Sequence, residues 1–324
     1  IQADTDVWLE YAGEKGIHGA ILSYLSLKKE NFYMVENTVD GKFFVTARGW
    51  EDLSEILKSY EELQVEIGEE LIGEFLQKEE IARDFAGYYR LYEKYKSDYQ
   101  IQEILDGNVT TRQLKTCCDM GKQASFEERF TVTEMLLEAV TERISSFQKT
   151  DEKTEKLYGN LKLLKVFLQE KNSVEAMEQF IVSRRKALDA KICSELLTAE
   201  EAAREEEQIR ILEEYFFQLK ELHISDVAEG IEQIGERFGN VCRLRNEKLE
   251  ETKKMLEQAF SFLEECFGEG QELLLFETGL TGDDRCSIFI SQYGCPSYFK
   301  HCELLLYSKK ENELRKECRD LLEE

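Results

Sequence analysis

The chain has 324 residues, of which 67 are Asp or Glu and 42 are Lys or Arg, for a net charge of −25. A surface of that sign repels nucleic acid phosphates and anionic lipid headgroups, so neither nucleic acid nor membrane is expected as a partner. Hydrophobic residues at 42% are enough for buried cores in two or three domains, and a single proline, Pro296, points to long helices with short connections.

Nine cysteines, an odd number with Cys117 and Cys118 adjacent, do not suit a disulfide framework. They read as reduced thiols, which predicts a cytoplasmic protein. There is no apolar run of about 18 residues and no basic-then-apolar leader, so neither a membrane helix nor a secretory signal is expected. The chain opens on Ile1 rather than Met and runs almost at once into an amphipathic segment, which reads as a piece of a longer protein.

In DVWLEYAGEKGIHGAILSYLSLK, Val7, Leu9, Tyr11 and Ala12 predict a short helix broken by Gly13 and Gly16. Ile17, Ile21, Leu22 and Leu25 then resume helical spacing. In NFYMVENTVDGKFFVTA, two β-favouring runs flank Asp40-Gly41 and predict a hairpin near 31–46. Thr46 is a candidate N-cap for a helix whose buried face is Trp50, Leu53, Leu57 and Tyr60. A helix pair follows, with an aromatic stripe of Phe85, Tyr88, Tyr89, Tyr92, Tyr95 and Tyr99. That spacing reads as core rather than as a ligand-stacking platform. Leu105-Asp106-Gly107-Asn108 marks a boundary.

Residues 110 to 270 read as almost all helix. Segments 124–148 and 154–170 are amphipathic and separated by the polar QKTDEKT. Asn172-Ser173 caps a helix through Leu188, and TAEEAAREEEQIRILEEYFFQLKEL forms another, its EEE run a solvated face. Ile224, Val227, Ile231, Ile234, Phe238 and Val241 have heptad spacing, resumed after a break by Leu256, Phe260, Leu263 and Phe267, which predicts an intramolecular bundle of long helices. Gly230, Gly235 and Gly239 weaken that helix and mark either a neighbour's close approach or bends. Beyond Gly270, QELLLFET and ELLLYSK read as strands, while DDRCSIFISQYG, CPSYFKHC and ENELRKECRDLLEE read as helices, giving a small α/β module. The expected fold is thus mainly α, with a helical domain at 1–107 carrying the hairpin, a long-helix extension at 108–270 and an α/β module at 271–324.

Candidate chemistry is sparse. Neither G-x-x-x-x-G-K-[ST] nor G-x-G-x-x-G occurs, so the chain has no phosphate-cradling loop of its own. Cys286, Cys295, His301 and Cys302 could supply zinc ligands, but their spacing matches no common zinc pattern and buried thiols are the plainer reading. Arg48 is the one conspicuous site. A cation at the start of a helix is unfavourable by a few tenths to about 1 kcal/mol. Either Glu51 or Asp52 in the same turn offsets it, or the guanidinium and the exposed N–H groups form an anion site.

Residues 1 to about 107 resemble the end of an AAA+ ATPase module, most closely of the MoxR type. The matching stretches are WLEYAGEKGIHGAILSYL and FFVTARGWEDLSEIL, with Arg48, Trp50, Glu51 and Leu53 in the second. IARDFAGYYRLYEKYKSDYQIQEILDG is similar to extensions after the lid in such ATPases of Gram-positive bacteria, and FETGLTGDDRCSIFISQYGCPSYFKHCELLLY resembles their far ends. The residue before the arginine is often proline in the family, whereas here it is Ala47. The resemblance implies a lid subdomain plus a helical extension, with Arg48 as the second-sensor arginine reaching the γ-phosphate of ATP. ATP and Mg would belong to an upstream AAA+ core that carries the Walker motifs. Neighbouring protomers of a ring and an unknown protein client would be the partners, and this chain alone would not hydrolyse ATP. The alternative is a self-contained acidic helical scaffold for protein interaction with no nucleotide role.

Overall fold

In the computed structural model, which describes residues 4–38, 41–168 and 173–306, helix α1 spans Thr5–Lys15. It runs through Gly13 and stops at Gly16, whose φ of 68° is a left-handed conformation that suits glycine. Helix α2 (Gly19–Leu27) buries Ile21, Tyr24 and Leu25. Strands β1 (Met34–Thr38) and β2 (Gly41–Val45) pair antiparallel, with Val35 opposite Phe44 and Thr38 opposite Gly41. This is the expected hairpin; Asp40 of its turn lies outside the described residues.

Helix α3 (Ala47–Glu62) follows with Thr46 as its N-cap, then α4 (Glu69–Phe75) and α5 (Glu79–Tyr99). Trp50, Leu53 and Leu57 are fully buried, as their spacing predicts. The Trp50 ring packs edge-on against Phe85 at 5.3 Å, and its Nε1 donates to the Phe32 carbonyl at 3.1 Å. Burying an indole with its N–H satisfied removes the usual cost of placing a polar group in a core. Phe85, Tyr89, Tyr92 and Tyr99 are buried as well, while Tyr88 and Tyr95 are half-buried, so most of the aromatic stripe is core.

Helices α6 (Ile101–Asp106) and α7 (Thr111–Gln123) lead into α8 (Phe126–Leu168), and α9 (Ser173–Cys193), α10 (Ala199–Glu221) and α11 (Val227–Phe267) complete the long-helix region. Two expected interruptions are absent. QKTDEKT does not divide α8, because it holds no Gly or Pro and its Gln, Lys and Glu are good helix formers. Likewise α11 is one helix across the expected break. Asn172 lies outside the described residues.

The described residues fall into two units, one within Ile1–Glu142 plus Lys254–Glu324, the other Arg143–Lys253. The expected boundaries at 107/108 and 270/271 are instead short connections inside the first unit. The divisions lie within α8 and α11. In the second unit, Leu157 and Leu164 of α8, Phe180 of α9, Leu212 and Tyr215 of α10 and Ile234 of α11 share one core. The heptad seam holds in part. Ile224 and Ile234 are buried, while Ile231 is 37% exposed. The EEE run lies along an ion-paired face: Glu205 meets Lys191 at 2.6 Å, Glu206 meets Arg185 at 3.9 Å and Glu207 meets Lys153 at 2.9 Å.

The expected α/β module is a correction. QELLLFET begins α12 (Gln271–Gly282), α13 spans Asp284–Tyr293, and α14 (Pro296–Leu306) takes in Glu303 to Leu306 of the second expected strand. A run of leucines fits either period. The helix is set by Leu273, Phe276 and Leu280, which are buried at helical spacing while Leu274 is 45% exposed. Pro296 opens α14, where its missing N–H costs no bond. The final expected helix, ENELRKECRDLLEE, lies outside the described residues. Among the described residues the fold is mainly α with one two-stranded sheet, and no helix is long and apolar enough to cross a membrane.

Candidate functional site

The chain leaves β2 through Thr46, a β-branched residue in extended conformation with φ −140° and ψ 160°. Its Oγ1 accepts the Gly49 N–H at 3.2 Å and its carbonyl accepts the Trp50 N–H at 3.1 Å. A threonine that satisfies both strand geometry and N-cap chemistry fixes where α3 starts. The N–H groups of Ala47 and Arg48, in the first turn, have no hydrogen-bond partner among the described residues.

Arg48 lies on the face of α3 opposite Trp50, Leu53 and Leu57. Its Nε donates to Asp52 Oδ2 at 3.0 Å and its Nη2 lies 2.9 Å from Oδ1, a bidentate pair one turn apart. Of the two expected partners, the structure selects Asp52. The Arg48 side chain is 78% exposed and Asp52 43%. A pair so open to water is held by only about 0.3–0.5 kcal/mol. A phosphate offers the same fork geometry with more charge. The guanidinium is therefore satisfied but replaceable, and the side chain is not locked inward.

The frame around Arg48 is stiff. A β-carbon on Gly49 would lie 2.8 Å from the Phe75 carbonyl oxygen, so α3 begins in direct contact with the end of α4. Lys78, just before α5, bonds Glu36 of the hairpin at 2.6 Å.

The other end of α3 carries a polar cluster that local spacing does not reveal. Glu61, in the last turn, accepts from His18 Nε2 at 2.7 Å, from the Tyr89 hydroxyl at 2.9 Å and from Lys96 at 3.4 Å. Burial alone would raise its carboxyl, but the bond from His18, the charge that ring carries when protonated, the charge on Lys96 and the bond from Tyr89 together outweigh it and lower the group to about 2. Behind it, Tyr92 donates to Glu138 at 3.1 Å, and the Glu138 carboxylate lies against the Cα of Gly19. Burial raises Glu138, and burial with the charge on Glu138 raises Glu134 to about 7. Tyr24 and Tyr99 also donate to carboxylates, Asp84 at 2.8 Å and Glu128 at 2.9 Å. The signal available in the sequence was the choice of Tyr over Phe along the stripe, since a buried hydroxyl needs an acceptor.

Cys286, Cys295, His301 and Cys302 do not converge. Cys286 pairs with Thr141 at 3.5 Å, Cys295 donates to Glu257 at 3.2 Å, His301 bonds Glu264 and Cys302 lies beside Tyr298. Among the described residues there is no group of three or more His, Cys, Asp or Glu able to hold a metal ion.

No protein-family model, curated protein or solved structure matches the chain.

Proposed function

We propose that the chain is the lid and helical accessory region of a MoxR-type AAA+ ATPase, coupling ATP hydrolysis in a core N-terminal to it to chaperone-like remodelling of a protein partner in the cytoplasm. The observation that carries this reading is the setting of Arg48. It stands in the first turn of a capped helix, on the open face, beside N–H groups that have no partner among the described residues, and is held there by a surface ion pair with Asp52. These groups fit one terminal phosphate. The sequence holds neither of the two glycine-rich phosphate-loop motifs. ATP and Mg are accordingly assigned to the core, and Arg48 is the only residue of this chain given a nucleotide role. The purified chain is expected to hydrolyse no ATP. Hydrolysis that survives Arg48→Ala would contradict the reading, as would a reading frame without a Walker A motif before Ile1.

A second reading, an acidic helical scaffold with no nucleotide role, is favoured by the bidentate Arg48–Asp52 contact, which satisfies the arginine without any ligand. An upstream Walker A motif in the same frame removes it.

A further inference from the structure

We infer that His18 is a proton-operated latch on the first turn of α2. The residue is 6% exposed and precedes the helix. Its Nδ1 accepts the Ala20 backbone N–H at 3.1 Å, so an imidazole nitrogen takes the role that a Ser, Thr, Asp or Asn oxygen fills at most helix starts. A nitrogen that accepts carries no proton. The ring's single proton is therefore on Nε2, which donates to Glu61 Oε1 at 2.7 Å. One neutral tautomer satisfies both contacts at once.

A second proton can enter only at Nδ1. That turns the acceptor into a donor facing another donor, and the cap on Ala20 is lost. A cation at a helix N-terminus adds to the cost. At the same time the Nε2–H bond to Glu61 becomes charge-assisted and stronger. Protonation thus exchanges a hold on α2 for a tighter hold on α3. The groups about the ring supply both signs: Glu61 and Lys58 from α3, Tyr89, Tyr92 and Lys96 from α5, and Glu138 from α8, with Glu93 paired to Lys96 and Glu142 beyond Glu138. Of these, Glu61 is bonded to the ring directly, and Glu138 lies against the first residue of α2. The helix whose first turn loses that bond carries Tyr24, whose ring packs against Trp50 and Phe85 in the core of the first unit. This inference does not rest on the role assigned to Arg48.

The test is nuclear magnetic resonance of the chain with 15N-labelled histidine rings, read together with the Ala20 amide from about pH 8 to about pH 5.5. His18 is expected as the neutral Nε2–H tautomer at the upper end. As its ring gains the second proton, protection of the Ala20 amide, corrected for intrinsic exchange, should fall about fivefold, the usual worth of an N-cap side chain. His223 and His301, whose rings meet Lys220 and Glu264 rather than α2, serve as control rings. His18→Asn keeps a capping oxygen and removes the titration, so Ala20 protection should be flat across the range. A proton on Nδ1 at the upper end, a ring that stays neutral throughout, or Ala20 protection indifferent to ring protonation would each overturn the latch. The wild-type spectra decide this even where the variant does not fold.

Discussion

Gly49 and Phe75 touch through their backbones: a β-carbon on Gly49 would lie 2.8 Å from the Phe75 carbonyl oxygen. A carbonyl at the end of α4 cannot swing aside as a side chain can. Gly49→Ala is therefore expected to destabilise the protein by about 1–3 kcal/mol, the range for forced overpacking, measured by urea denaturation. No loss would mean that α3 and α4 are free to part, and that the frame around Arg48 is looser than described.

Arg48 itself should contribute almost nothing to stability. Arg48→Ala and Asp52→Ala are each expected to change the unfolding free energy by less than about 0.5 kcal/mol, because the pair is exposed and closes within one turn. A loss several times larger would give the arginine a structural role and weaken its assignment to nucleotide.

Glu134 sets a pH dependence of definite sign. Its carboxyl is raised to about 7 by burial and by the charge on Glu138, so the folded state keeps a proton that the unfolded chain has lost. Its favourable contribution is complete below the unfolded value of about 4.3 and is lost as pH rises through about 7. Glu134→Gln mimics the protonated form at every pH. It is expected to stabilise by about 1–3 kcal/mol at about pH 8 and to have little effect at about pH 4.5. Denaturation curves of both proteins at the two pH values check this, and a benefit of equal size at both would contradict it.

Two glycines in α11 weaken the helix with no packing return. Nothing lies within 4 Å of a β-carbon built on Gly235 or Gly239, so neither serves the close approach of a neighbour. Gly235→Ala and Gly239→Ala are each expected to raise stability by about 0.5–1 kcal/mol. A destabilising result from thermal or urea unfolding would show that α11 bends there in solution.

What the sequence made legible was local. Thr46 announces the start of α3 because cap chemistry acts over three residues, and the hairpin follows from two β-favouring runs around a turn dipeptide. The buried face of α3 follows from the spacing of Trp50, Leu53 and Leu57. Leu273-Leu274-Leu275 misled because three leucines in a row satisfy both periods, and only tertiary packing of Leu273, Phe276 and Leu280 decides between them. The polar QKTDEKT looked like a linker, but polarity alone does not end a helix without Gly or Pro. Arg48 was visible as a charge out of place. The Glu61 cluster was not, since His18, Glu61, Tyr89 and Glu138 come together only when four separate elements pack.

The most direct measurement is ATP hydrolysis by the chain joined to the N-terminal core proposed for it, comparing Arg48→Ala with Asp52→Ala. If Arg48 meets the terminal phosphate, Arg48→Ala should lower the rate at least about tenfold, on the scale of one lost charge-assisted contact, while Asp52→Ala, which removes only the surface partner, should leave it within about twofold. Equal rates for wild type and Arg48→Ala would contradict the account.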